Sequence, residues 1–383
     1  MKIQPDPFRS ITAVASAGVM LSALLLHAAP PVKVFILAGQ SNMEGAGRVE
    51  ADPARNGGKG SLSYLAENDP KYKPLKAKSG GWVARDDVSV WFLGRKGKLA
   101  PGFGSNGGTI GPELGFGNVV GDALKEPVLL IKTAWGGKSL MKDFRPPSSG
   151  GEVGPFYTEM LMRVKGVLDN LKKEFPQYHT GYEIAGFGWH QGWNDGCDQA
   201  ATEEYEKNLA NFIRDVRKDL GVGQLPFVIA DSGFGGKNEK NARRLMIRAA
   251  QAAPAKAREF KGNVTCVKTE SFFRPPEESP SNQGYHWNAN AETYYLIGES
   301  MGHAMIDLIS AATPRPSPAA PTPAHLFRNV DGSKTFKAHL QGYDAANHKV
   351  TVRLENGSAL SFDLQILHPD DQEFVTSAGK DGK

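Results

Sequence analysis

Residues 34–48 read VFILAGQSNMEGAGR. An apolar, strand-like run ends in Gly39-Gln40-Ser41-Asn42, and further glycines follow at 45 and 47. A buried parallel strand that stops at small and polar residues delivers a side chain to the carboxyl edge of its sheet, where α/β proteins place their ligand crevices. Ser41 is therefore a candidate nucleophile. The glycines after it are expected to let backbone and substrate approach closely.

Working outward, short apolar runs bounded by Gly or Pro recur at 32–38, 128–134, 184–189, 227–230 and 264–268. Each reads as a strand. Between them, TEEYEKNLANFIRDVRKDLG opens at Thr202 with two glutamates, steps through Tyr205, Leu209, Phe212, Val216 and Leu220, and stops at Gly221, a capped amphipathic helix. The stretches 155–175 and 290–308 read the same way. This alternation predicts an α/β domain over 29–311 with a central parallel sheet covered on both faces. Residues 52–106 break it, being rich in Gly, Lys and Pro with one strand-like run at 88–93. Long insertions of this kind are commonly functional. Trp82 and Trp91 lie in it and are candidates for stacking on a sugar ring, the alternative for at least one being packing against the core.

At the amino end, Lys2 and Arg9 precede an apolar run from Ile11 to Leu26 and small residues at Ala28-Ala29. That order predicts a signal peptide over 1–28 and a secreted or periplasmic protein, since a transmembrane helix needs about 20 apolar residues. No stable membrane insertion is expected after cleavage. The formal charge is only +4, without a Lys/Arg block, so nucleic-acid binding is not favoured. Two cysteines, Cys197 and Cys266, make no disulfide framework and leave their pairing open. Residues 312–324 (TPRPSPAAPTP and its flanks) read as a proline-rich spacer. Beyond it, 325–377 alternates apolar and polar residues through an acidic end, with an Asn356-Gly357 turn, which predicts a small antiparallel barrel and a short tail over 378–383.

Ser41 acquires meaning from company. The third strand ends in GWHQGWND, which brings Gln191, Gly192, Asn194 and Asp195 to the same edge. An amide there can donate to an oxyanion without carrying charge. The second strand ends in TAWGGKSL, where Gly136-Gly137 can offer an unobstructed backbone N–H. The last helix is preceded by NQGYHWNANAE, which supplies His286 as a base. Serine, glycine, asparagine and histidine in that order make an acyl-transfer site. His190, beside a tryptophan, reads as a packed core histidine, and Asp195 as an organiser of its turn. No metal-ligand spacing such as HExxH is present, so no metal or cofactor is expected. Arg145, with Lys138 and Lys142, either contacts an acidic sugar substituent or belongs to a solvated face. Gln40 is a further candidate for substrate contact.

Gly39-Gln40-Ser41-Asn42-Met43, Gly136-Gly137, Gly192-Trp193-Asn194-Asp195 and His286-Trp287 resemble the four blocks of the SGNH hydrolase superfamily. GQSNM with HQGWND is most similar to its sialate O-acetylesterase domain, which includes the acetylxylan esterases of carbohydrate esterase family six. The resemblance runs from about 32 to 308. It implies a flavodoxin-like three-layer sandwich and metal-independent removal of acetyl groups from sugars. It also implies Ser41 as nucleophile, His286 as base, and an oxyanion hole from the Ser41 N–H, a backbone N–H of Gly136 or Gly137, and Asn194, with Gln191 as an additional donor. One departure stands out. The family often has aspartate three residues before its histidine, where this chain has Gln283. Either the site works as a Ser-His dyad, or Glu270, Glu277 or Glu278 reaches in. Residues 327–375 resemble an SH3-like homology module of bacterial exported hydrolases, which implies a protein or cell-surface partner or a passive appendage. The leading reading is an exported carbohydrate O-acetylesterase. Lipid or aryl ester hydrolysis, or carbohydrate binding without catalysis, are the alternatives.

Overall fold

The computed structural model describes residues 30–312, 324–345, 347–354 and 358–378. The expected signal peptide, the spacer between 312 and 324, the Asn356-Gly357 turn and the tail after 378 lie outside the described residues.

Seven strands form the main sheet: β1 (Val32–Gly39), β2 (Arg85–Phe92), β3 (Arg95–Leu99), β4 (Val128–Ala134), β5 (Tyr182–His190), β6 (Phe227–Ala230) and β7 (Val264–Val267). Their order is β3-β2-β4-β1-β5-β6-β7, with every pairing parallel except β2 with β3. The expected insertion supplies the β2–β3 hairpin as an added edge. Without it, the remaining five strands run in the flavodoxin-like order 2-1-3-4-5. In such sheets the ligand crevice lies where the order reverses, here at the carboxyl ends of β1 and β5.

The layers follow from the period of two along β1. Val34, Ile36 and Ala38 face one core with residues of α2 (Pro155–Asp169) and α3 (Gln199–Leu220), while Phe35 and Leu37 face another with α1 (Pro112–Ala123) and α5 (Ala291–Ala312). Both faces of the strand are therefore dry, which is why it reads as a continuous apolar run. A fifth helix, α4 (Ala242–Ala252), follows β6.

Several boundaries differ from expectation. Helix α3 begins one turn earlier than Thr202, because the Asp198 carboxylate accepts the Ala201 N–H at 2.8 Å as its cap. The expected helix over 155–175 breaks at Asn170. Helices α1 and α4 were not expected at all. In α1 the glycines are packing devices: a side chain at Gly115 would meet the Tyr295 carbonyl oxygen of α5 at 2.1 Å. Trp91 is 7% exposed and packs in the core, so it is unavailable to a sugar. Trp82 precedes the amino end of β2, the sheet edge away from Ser41, and lies under Lys76 Nζ at 4.6 Å from its ring centroid. Cys197 and Cys266 are both free, and burial pushes the Cys266 thiol up to about 12. No helix among the described residues is long and apolar enough to cross a membrane.

The carboxy-terminal residues form a separate antiparallel meander of β8 (His325–Arg328), β9 (Thr335–Asp344), β10 (Lys349–Leu354) and β11 (Ala359–Asp363), in that order. Its own core includes Phe327, Leu340, Val350, Val352, Leu367 and Val375. The acidic end is not a strand. Pro369 at its start with Asp370 and Asp371 in the first turn makes a helix, α6 (Pro369–Ala378). Asp371 accepts the Arg328 backbone N–H at 2.8 Å, its Nε–H at 3.1 Å and a contact from His325 Nε2 at 2.9 Å. Burial works to raise this carboxyl, but the hydrogen bonds from Arg328 and His325 hold it down to about 2. A depressed carboxyl stabilises the fold above its ordinary value near 3.8 and loses that contribution as pH falls toward 2. Protection of the amides over residues 325–378 in the full chain, measured against their intrinsic exchange rates at each pH, should fall across that window, and Asp371→Asn should remove most of the dependence.

Candidate active site

Strand β1 and β5 close on each other where they end. A side chain at Gly39 would stand 2.2 Å from the His190 carbonyl oxygen, so only glycine lets the two strand ends meet. The chain then turns into one helical turn, Ser41–Glu44, whose first N–H, that of Ser41, has no acceptor among the described residues. The glycines after the turn serve backbone packing and not substrate approach. Gly45, at φ 95°, lies so close to Gly111 that a Cβ would fall 2.1 Å from its Cα.

Gln40 is buried and works inward. Its Oε1 accepts the Gly192 N–H at 3.1 Å, the Asn194 N–H at 3.3 Å and Gln191 Nε2 at 3.2 Å, and its Nε2 donates to Asn194 Oδ1 at 3.2 Å. It therefore shapes the β5 loop and does not face substrate. Asn194 Nδ2 donates one hydrogen to the Gly137 carbonyl at 2.7 Å, which leaves its second. Gly136 lies against Ser41: a Cβ there would be 3.8 Å from Ser41 Cβ and 3.1 Å from Glu44 Oε2. The Gly136 N–H serves the Glu44 carboxylate, whose burial nonetheless raises its pKa. Gly137, at φ 70°, has open space around it.

Gln191 offers nothing to an oxyanion. Its two N–H groups are shared among Gln40 Oε1, the Lys138 carbonyl at 3.0 Å and Asp195 Oδ2 at 2.6 Å, while its Oε1 accepts the Tyr205 hydroxyl at 2.9 Å. Asp195 accepts the backbone N–H groups of Leu140 and Met141, each at 2.9 Å, and desolvation lifts it to about 6. It ties the loop after β4 to the loop after β5. Arg145 is also structural. It donates to the carbonyls of Met141, Ser149 and Gly150 and pairs with Glu204 at 3.1 Å. His190 is a core histidine, with Nδ1 3.1 Å from the Ala230 carbonyl and its pKa lowered by burial.

His286 comes from the loop before α5. Its N–H donates to the Gln283 carbonyl at 2.8 Å, and the next three residues, Trp287, Asn288 and Ala289, hold φ of 49°, 55° and 58°. Such a run of left-handed non-glycine residues is strained and persists only where surroundings enforce it. Asn42 does so from its place next to Ser41. Its Nδ2 donates to the Tyr285 carbonyl at 2.9 Å, and its Oδ1 accepts the Tyr294 hydroxyl at 2.7 Å, which also lies 3.3 Å from the His286 carbonyl.

The imidazole nitrogens have no hydrogen-bond partner among the described residues, Ser41 Oγ included, a looseness common before substrate binds. Burial alone lowers the His286 pKa. None of the four candidate third members reaches it. The Gln283 side chain is exposed and contributes only its carbonyl, Glu270 pairs with Arg248, and Glu277 and Glu278 are exposed. Among the described residues no carboxylate is hydrogen-bonded to the imidazole.

One feature escaped the sequence reading. Lys132, in the middle of apolar β4, is fully buried and donates to Glu113 Oε2, the Glu44 carbonyl and the Phe103 carbonyl, each at 2.6 Å. It grips the end of the turn that carries Ser41. The signal was available, since a lysine inside a strand buried on both faces requires a buried partner. Burial pulls its pKa down while Glu113 opposes the fall.

Residues 31–307, more than half of the chain, match the family described as carbohydrate esterase, sialic acid-specific acetylesterase. The chain belongs to this family. An Arabidopsis thaliana protein named "Probable carbohydrate esterase" is 27% identical over 217 residues, which are 55% of this chain and 73% of the relative. The crystal structure of that Arabidopsis protein has a TM-score of 0.48 at 21% identity, covering 72% of this chain and 98% of its own. A carbohydrate acetylesterase from Xanthomonas citri has a TM-score of 0.49 at 12% identity, covering 84% of this chain and 62% of its own.

Lys132→Met should leave Glu113 buried and unpaired, at a cost of about 3–5 kcal/mol in denaturant unfolding. Adding Glu113→Gln should recover a large part of it, because the stranded charge is gone.

Proposed function

We propose that this family member is an exported serine esterase that removes acetyl groups from the hydroxyls of acetylated polysaccharide or sialic acid. The observation that carries the reading is the pair of side chains flanking Ser41. Gln40 draws in Asn194, and Asn42 draws in the His286 loop, so one strand end gathers the parts of an acyl-transfer site. In this reading His286 takes the Ser41 proton as Oγ bonds to the acetyl carbon. The carbonyl electron pair moves onto oxygen, where the Ser41 N–H, the Gly137 N–H and the second Asn194 hydrogen hold it. Collapse breaks the bond to the sugar oxygen, which leaves with the proton from His286. Water then gives its proton to His286 and attacks the acetyl-serine, and Ser41 departs with that proton as acetate is released. These steps call on no metal or cofactor.

The same proposal includes signal cleavage near Ala28 and an SH3-like barrel for the carboxy-terminal unit, which takes a protein or cell-surface partner.

Ser41→Ala should abolish acetate release from acetylated xylan and from O-acetylated sialic acid. Acetate unaffected by that change would overturn the assignment. Asn194→Ala should lower kcat by ~10² to 10³, and a much smaller loss would remove Asn194 from the oxyanion hole. The base must be neutral to act. Burial lowers the His286 pKa with no carboxylate opposing it, so kcat/KM should rise with pH through a midpoint below the ordinary histidine value of 6.5.

A further inference from the structure

Trp82 and Trp91, the candidates for stacking on a sugar, lie elsewhere, yet an aromatic pair stands at the site. Tyr285 is 40% exposed, its ring lies edge-on to His286 with centroids 4.5 Å apart, and it packs on Trp193 at 5.5 Å. Trp193 adjoins Asn194 and is itself backed by the Phe234 ring at 5.3 Å and by the Arg244 guanidinium at 4.5 Å. Glu239 holds Arg244 at 2.8 Å, so the backing is anchored. The Tyr285 carbonyl is bound by Asn42, which anchors the outer ring too. The Tyr285 hydroxyl has no partner among the described residues. This is a rigid, half-exposed apolar face with a free polar tip, beside the base.

Chemistry says what covers it. The leaving oxygen must come within hydrogen-bond reach of His286 to collect its proton. The group attached to that oxygen therefore lies against the imidazole's neighbour. Resting on the esterase reading above, we infer that Tyr285, backed by Trp193, is the platform for the pyranose ring of the leaving sugar. The ring's C–H face packs on the phenol ring, and the hydroxyl tip meets a neighbouring sugar hydroxyl. Tyr285 is thus a specificity residue for sugar over small alcohols.

The test compares acetylated xylo-oligosaccharides with ethyl acetate, whose ethanol is too small to use the platform. Tyr285→Ala should lower kcat/KM for the oligosaccharides by about tenfold, mainly through KM, and leave ethyl acetate within about twofold. Tyr285→Trp should restore the sugar ester. Equal losses on both esters would overturn the inference, because Tyr285 would then act only by positioning His286. No loss on either would overturn it as well. If the unaltered protein releases no Ser41-dependent acetate from any ester, the esterase reading itself fails and this inference with it.

Discussion

The arrangement depends on one buried carboxamide. Gln40 presents both an acceptor and a donor at the point where β1 ends, and the loop after β5 uses both: two backbone N–H groups and an amide side chain converge on its oxygen, and its nitrogen orients Asn194. A carboxylate could not donate and an ammonium could not accept, whereas an amide carries its acceptor and its donor on separate atoms and holds that loop from one position. With it in place, Asn194 reaches the Gly137 carbonyl and the loop after β4 is drawn in. Gln40, Asn194 and the Gly137 carbonyl are thus joined by hydrogen bonds among neutral groups, while the buried Asp195 carboxylate ties the same two loops together through backbone N–H groups.

The other side is assembled differently. Asn42, one residue past Ser41, clamps the segment that carries His286, and it does so across more than two hundred residues of sequence. That segment adopts three successive left-handed conformations, a strained path that the Asn42 and Tyr294 contacts offset. Gln40 and Asn42 therefore divide the work, one on each side of Ser41. Below them, Lys132 spends three hydrogens on Glu113, Glu44 and Phe103 and fixes the floor of the turn. A buried ion pair there adds little net stability, but removing either partner would leave the other's charge buried and uncompensated.

Much of this was legible before any coordinates. Two strands were read to the residue, at 128–134 and 227–230, because a strand buried on both faces is a continuous apolar run with sharp polar ends. Helix α1 was missed, since its glycines look like a loop until α5 lies across them. Helix α6 was missed because an acidic stretch with two apolar residues fits either period. Among the site residues, Ser41, Gly136, Gly137, Asn194 and His286 were named from strand ends, and the fold brings their loops together at one edge. Gln40, Gln191, Arg145 and Trp91 do not take the roles expected of them: Gln40 and Gln191 are held by partners in other segments, Arg145 by nearby carbonyls and Glu204, and Trp91 by the core.

The sequence by itself determined the alternation of strands and helices, the edge at which chemistry gathers and the order of the four blocks. Those are local properties, carried by apolar period, by the turn residues that end each strand, and by motif spacing. Tertiary structure alone decided which polar side chains are spent on one another and which remain free. Gln191 and Asn194 are both amides three residues apart in one loop, and nothing local separates them. Burial among Gln40, Lys138, Asp195 and Tyr205 consumes the first, while partial exposure leaves the second a hydrogen to give. The same holds for the histidine. Whether a carboxylate stands behind it is a question of loop path, and here the nearby glutamates are paired or solvated, so burial alone sets its charge.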